Sequence, residues 1–335
     1  MPDNNPTADR IMGGATSNKK DTLEGKSSVV ESVPSTASCG DGDDEKERDD
    51  ASPTEKPEPR DEMLEAALKV VANSTSFFAR AGLVATLPEP LPASPQRRIT
   101  IHLVRHAEGP HNLISIAERE RLNMLDPGLT NYGLAQCVHL SERFHAMDKI
   151  THIVASPLRR TVHTALGSFK PAIKRGIKII LCPDLRECGG GQCNTGSNID
   201  DVLKDLLSIE DDLPKDCVDG GLCEPGWELG TETWEEKHLR TERAARVRSM
   251  LYHLGKMAAD TSSDDVEIVV VTHSRLLMLL AGHTNRRYGY HNAEYRSYRL
   301  TTDEEVAAGV DMYKLIETQE SRNYIHTFPD VPYED

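Results

Sequence analysis

The chain has 335 residues, with 39 Lys and Arg against 54 Asp and Glu, giving a formal net charge of −15. A surface of that sign repels phosphate backbone and argues against a general nucleic-acid binder. With 38% hydrophobic residues and no apolar run near the roughly 20 residues a bilayer-spanning helix needs, the sequence also argues against a membrane protein.

Residues 1–60 carry 14 acids, 8 Lys and Arg and no aromatic residue. That is too little apolar surface to offset the entropy of ordering them, so a disordered acidic tail is expected. Met1-Pro2-Asp3-Asn4 has neither the basic start nor the apolar stretch of a secretory signal. Seven cysteines, odd in number and thinly spread, suit free thiols in a reducing compartment and predict a cytoplasmic or nuclear protein. Over 61–83, Leu64, Leu68 and Val71 fall at helical spacing. They predict an amphipathic helix that docks on its own domain or, like the tail, receives a protein partner. Leu87–Pro92 reads as a stiff Pro-rich connector that completes the 61–97 segment.

From residue 98 onward, strands alternate with helices. Strands are predicted at Ile99–Val104, His152–Ala155, Ile177–Cys182 and Val266–Thr272; helices are predicted near 131–147, 158–168 and 234–259. This order predicts an α/β fold, a three-layer α/β/α domain over 98–335 around a mostly parallel sheet. Ile177–Ile180 and Ile268–Val271 would be its buried central strands. The segment 198–230 turns acidic and Gly-rich, with little periodicity beyond Val202–Leu207, and reads as a surface insertion. In such sheets ligands bind at the carboxyl ends of strands. There the sequence places Arg105-His106, Ser156-Pro157-Leu158-Arg159-Arg160, Leu185-Arg186-Glu187 and Thr272-His273-Ser274.

These motifs resemble the histidine phosphatase superfamily, the phosphoglycerate mutase-like proteins, over about Ile99–Ile316. Its signature is an Arg-His pair with Asn six residues after the His, here Arg105, His106 and Asn112. The Leu-Thr-x-x-Gly-x-x-Gln element is Leu129 to Gln136, followed by the Ser-x-Leu-x-Arg turn and the late Thr-His. Asn292 to Ser297 also looks like the domain end of eukaryotic members, and Cys193-Asn194-Thr195-Gly196-Ser197 is similar to a fungal and plant branch.

The resemblance implies a phosphatase that acts on a small phosphorylated metabolite through a phosphohistidine on His106, with no metal and no cofactor. A neutral imidazole suits attack on a dianion, and planar guanidinium forks suit the phosphoryl oxygens. Arg105 and Arg160 are therefore expected to clamp phosphate, with His273, Asn112 and Ser274 as further binding groups. Family register selects Arg160 over Arg159, which is expected to be a solvated helix-start residue. Glu187 is expected to protonate the leaving group and then activate water, and its rival Glu108 is expected to fix the loop after the first strand. At Ser274 the acid-phosphatase and phytase branch has Asp, so that branch is disfavoured.

Phosphoglycerate mutases follow the catalytic Glu with Arg-His-Tyr-Gly. This chain has Cys188-Gly189-Gly190-Gly191, which favours hydrolysis over a mutase-type phosphotransferase. A regulatory pseudo-enzyme that binds phospho-groups and a phosphoprotein phosphatase are the other readings. The pairs Cys188/Cys193 and Cys217/Cys223 lack zinc-knuckle spacing. His102, His139, His145, His152 and His163 default to packing or surface roles, whereas His111 could contact ligand or simply pack its loop.

Overall fold

The computed structural model of the chain describes Arg80 and residues 97–229, 236–283 and 288–324. The chain divides into two units, 1–56 and 57–335, and every described residue belongs to the second. The expected tail over 1–60, the Leu87–Pro92 connector, Trp234 and all of the expected 61–83 helix except Arg80 lie outside the described residues. Arg80 donates Nη1 to Asp219 Oδ1 at 2.6 Å.

The described residues form one sheet of seven strands. They are β1 Ile99–Arg105, β2 Ile150–Ala155, β3 Ile179–Leu181, β4 Val218–Asp219, β5 Val266–Thr272, β6 Tyr295–Leu300 and β7 Leu315–Glu317, in the order β4-β3-β2-β5-β1-β6-β7. The first five run parallel, whereas β6 and β7 add an antiparallel edge. The helices are α1 Ile116–Arg121, α2 Asn131–Arg143, α3 Arg159–Ser168, α4 Lys170–Lys174, α5 Ile199–Ile209, α6 Lys237–Thr261, α7 Ser274–Leu280, α8 Asp303–Ala307 and α9 Gln319–Asn323.

Because side chains alternate across a strand, each parallel strand feeds two cores. Val269 and Val271 join Ile153, Ala155, Ile179 and Leu181 under α2, α3 and α5. Ile268 and Val270 join Ile101, Leu103 and Val154 under α6 and α7. The result is a three-layer α/β/α arrangement. Each fully buried aliphatic side chain in these cores contributes roughly 1.5–3 kcal/mol relative to exposure.

Two expectations are corrected. Ile268–Val271 does lie at the centre of the sheet, but over 177–182 only Ile179–Leu181 pairs, one strand from the edge, because just two residues of β4 lie beyond it. The 198–230 segment is more than a surface insertion. Asn198 Oδ1 caps α5 by accepting from the Asp200 and Asp201 N–H groups. Val202, Leu206 and Leu207 of this helix enter the core although it also carries Asp200, Asp201 and Asp205, and Val218–Asp219 widens the sheet.

At Gly133 the N-terminus of α2 approaches the loop after β1 so closely that an added Cβ would lie 2.1 Å from the Glu108 carbonyl oxygen. Thr130 caps this helix through its Oγ1, which accepts from the Gly133 N–H at 2.9 Å. Backbone faces backbone here, so Gly133→Ala is expected to lower stability by about 1–3 kcal/mol. Urea denaturation checks this; an unchanged midpoint would show that the loop yields freely.

Candidate active site

The parallel strands β3, β2, β5 and β1 are neighbours and end on the same side of the sheet, so the polar residues that follow them converge. The register aligns Arg105 with Thr272, which sets His106 and His273 side by side at the next position. Their ring centroids are 5.1 Å apart, and the His106 N–H donates to the Thr272 carbonyl at 2.9 Å. Arg160 is the second residue of α3 after β2, Glu187 follows a short turn after β3, Asn112 ends a 3₁₀ turn after β1, and Ser274 opens α7. The structure thus gathers Arg105, His106, Asn112, Arg160, Glu187, His273 and Ser274 at one sheet edge.

His106 is 2% exposed. Its Nδ1 lies 2.7 Å from the Ala107 carbonyl oxygen, which can only accept, so Nδ1 carries the proton and Nε2 presents a lone pair. Burial, with the charges of Arg160 and Arg105, holds the imidazole well below its ordinary value of 6.5. His273, fully buried, is pushed down in the same way by burial and Arg160. Its Nε2 lies 2.9 Å from Ser156 Oγ, and its Nδ1 is buried without a partner. A Ser156 hydroxyl donating to Nε2 leaves the proton on Nδ1, a buried donor without a partner.

Arg160 is 1% exposed. It donates Nη1 to the Cys193 carbonyl at 2.7 Å and Nη2 to Asn194 Oδ1 at 3.0 Å, so the Cys193-Asn194 turn orients the guanidinium. Arg105 donates Nη1 to the Tyr290 carbonyl at 2.7 Å. In both residues Nε is buried and unpartnered. Burial lowers the basicity of both; Glu187 raises that of Arg105, and Asp126 and Glu187 raise that of Arg160. Glu187 thus offsets part of the charge of both guanidiniums, and its Oε1 accepts from the Cys188 N–H at 2.8 Å. Arg159 instead turns outward to Asp205 at 3.1 Å. Glu108 accepts from Thr130 Oγ1 at 2.8 Å, which ties the loop after β1 to α2. Asn112 accepts through Oδ1 from the Gly109 N–H and from Asn292 Nδ2, leaving its own amide N–H groups as the donors it can offer.

His111 lies inside the site, 5.4 Å from His106 between ring centroids, with Nδ1 buried and unpartnered. Burial and Arg160 push it down to about 2. His106, His111 and His273 thus stay neutral in the native state at pH values where the unfolded chain protonates its imidazoles. Stability is expected to decline as pH falls below about 6.5, each ring adding up to about 1.4 kcal/mol per pH unit. Their imidazole resonances are expected to hold neutral positions between pH 8 and pH 6; an inflection near 6.5 for His106 would contradict this.

The sequence reading assigned no role to three supports, although it named Ser156 and Asn292 within motifs. Asn292 Nδ2 and the Ala293 N–H both donate to the His106 carbonyl, at 3.0 and 3.2 Å, with Ala293 at φ 55° in the left-handed region. Ser156 orients His273. Buried Arg243 of α6 donates to the carbonyls of Asp184 and Arg186 at 2.7 Å and of Glu187 at 3.4 Å, and to Cys188 Sγ. It therefore fixes the strand-end loop that presents Glu187. A signal for it exists: Arg243 sits at helical spacing from Val247, Leu251 and Leu254, a charge on the buried stripe of α6. The six described cysteines are free thiols. Among the described residues no helix is long and apolar enough to cross a membrane, and no group of three or more His, Cys, Asp or Glu is placed to hold a metal ion.

Residues 101–304 match the family model of the histidine phosphatase superfamily, branch 1. A phosphoglycerate mutase-like protein of Arabidopsis thaliana is 36% identical over 76 residues, 21% of this chain and 28% of that protein. A probable phosphatase of Schizosaccharomyces pombe is 32% identical over 107 residues, 31% of this chain and 48% of that protein. The chain thus spans less than half the length of these curated relatives. Among solved structures, a mycobacterial glucosyl-3-phosphoglycerate phosphatase is 18% identical with a TM-score of 0.40, covering 66% of this chain and 96% of its own. With its family model matched from β1 to α8 and the family's motif residues gathered at one sheet edge, the chain belongs to the histidine phosphatase superfamily.

Proposed function

We propose that this chain hydrolyses the phosphate monoester of a small metabolite through a phosphohistidine on Nε2 of His106. The observation that carries the reading is an unprotonated Nε2 in a cluster where Arg105 Nε, Arg160 Nε and His273 Nδ1 are all buried without partners. Buried donors of this kind are costly unless an anion accepts from them.

In the first step the Nε2 lone pair attacks phosphorus and the bond to the ester oxygen breaks. The Glu187 carboxyl gives that oxygen its proton, so an alcohol departs. In the second step the Glu187 carboxylate takes a proton from water, the water oxygen attacks phosphorus, and the P–N bond breaks to free phosphate and restore Nε2. The guanidiniums of Arg105 and Arg160 and the His273 Nδ1–H receive the charge on the equatorial oxygens in both transition states. Asn112 adds a neutral donor, and Ser274 borders the same oxygens. Gly189-Gly190-Gly191 brings no side chain to grip a substrate for return transfer, which favours hydrolysis.

The test is a panel of phosphate esters assayed with EDTA present and no bisphosphate primer, with labelled substrate quenched to trap phosphoenzyme. Phosphate release with acid-labile label on His106 is expected. Loss of activity on chelation, or primer-dependent isomerisation without phosphate release, would overturn the reading in favour of a metal-dependent enzyme or a mutase. Phosphate affinity without turnover would point to a pure binder.

A further inference from the structure

The segment between the His106 loop and α2 belongs to none of the motifs that define the site. It holds α1, a short helix closed by its own capping box: Ser115 Oγ accepts from the Glu118 N–H at 3.3 Å, and Glu118 Oε2 accepts from the Ser115 N–H at 3.0 Å. None of its residues is buried in the core. It packs instead on the Gln192–Asn194 turn, the same turn that holds Arg160.

From this helix Arg119, half-buried, brings a third guanidinium to the site. Its Nε is sealed from solvent and has no partner. Glu187 offsets part of the charge of both Arg105 and Arg160, and Asp126 part of that of Arg160. The charge of Arg119 depresses the basicity of His111 and of Arg160. The charges that act on His106 itself are those of Arg160, Arg105 and His111. Because α1 packs on the turn that orients Arg160, Arg119 belongs to the Arg160 end of the cluster. Among the described residues, six of the eight buried and unpartnered side-chain atoms, on Arg105, His111, Arg119, Asp126, Arg160 and His273, belong to this one cluster, and of the six only that of Asp126 is a carboxylate oxygen. A guanidinium nitrogen sealed from water near other cations is unfavourable until an acceptor joins it.

We propose that Arg119 is a specificity residue that receives a second anionic group, a carboxylate or a further phosphate, on the leaving group of the substrate. The preferred substrates are then monoesters of alcohols that carry another acid. This rests on the phosphatase reading above, but its test does not need turnover.

The test compares four matched series of two to six carbons: ω-phosphooxy carboxylates, α,ω-bisphosphates, ω-hydroxyalkyl phosphates and n-alkyl phosphates. Both kcat/KM and calorimetric affinity are measured, for the parent, Arg119→Met and Arg119→Lys. The parent is expected to prefer one of the two dianchored series, and which one identifies the second anion. Arg119→Met should lower kcat/KM and affinity for that series about 10- to 100-fold more than for the hydroxyalkyl series, the size of one charge-assisted hydrogen bond, with part of the loss restored by lysine. Equal losses across all series would make Arg119 a general support of the site and overturn the proposal. So would a parent preference for n-alkyl phosphates, which would assign the mouth to the exposed Leu113, Ile116, Leu122 and Leu125 instead. If the parent turns over no ester, the phosphatase reading fails, yet a selective affinity loss in Arg119→Met still upholds the anion subsite.

Discussion

His106→Ala protein is expected to release phosphate from any ester at less than about one thousandth of the parent rate and to trap no label on quenching. The loss should be this large because no neighbour can take over. His111 and His273 have neutral rings close by, but His273 is committed to Ser156 and His111 is 5.4 Å from His106 between centroids, so neither is held in line with phosphorus. Thermal denaturation separates a chemical loss from a folding one. The His106 ring gives a single hydrogen bond to the Ala107 carbonyl, so its removal should leave a cooperative transition. Activity above a tenth of the parent, with label trapped elsewhere, would move the nucleophile to another residue.

Glu187→Gln should divide by leaving group. For alkyl esters, whose alkoxide needs a proton, kcat is expected to fall about 10²- to 10⁴-fold. For an activated aryl ester, phosphoryl transfer to His106 needs no acid and should survive, while the second step loses its base. The expected record is a burst of phenolate equal to the enzyme concentration, followed by slow turnover, with phosphohistidine accumulating. The Cys188 N–H donates to a glutamine oxygen as well as to a carboxylate, so the loop keeps its shape. The variant also leaves Arg105 and Arg160 without their shared negative neighbour, so inorganic phosphate should bind it more tightly than it binds the parent. An equal loss on alkyl and aryl esters would remove Glu187 from the acid role.

What the sequence disclosed followed from local rules. β1 and β5 are short apolar runs whose polar residues begin where the strand ends, and the parallel register then brings Arg105, His106 and His273 together. The antiparallel edge was not legible, because β6 reads Tyr-Arg-Ser-Tyr-Arg-Leu and mixes buried tyrosines with arginines. Arg296, for example, lies 4.1 Å from the Tyr290 ring centroid. α5 was obscured by its acids, since only Val202, Leu206 and Leu207 of its eleven residues are buried. Arg119 left no periodic trace, because its helix caps itself and contributes nothing to the core. Arg160 was separable from Arg159 only through motif register. Burial of one and the outward ion pair of the other provide the physical difference.

The hold of Tyr290, Asn292, Ala293 and Glu294 on Arg105 and His106 has a consequence for biosynthesis. The carbonyl of His106, the amide of Arg105 and the Arg105 guanidinium all take their partners from residues nearly two hundred positions later. A nascent chain emerging from the ribosome therefore holds the backbone at Arg105 and His106 unbraced until the last parallel strand and the turn before β6 have been made. Incomplete polypeptides should be inert toward cellular phosphate esters, with competence arriving in one late closure.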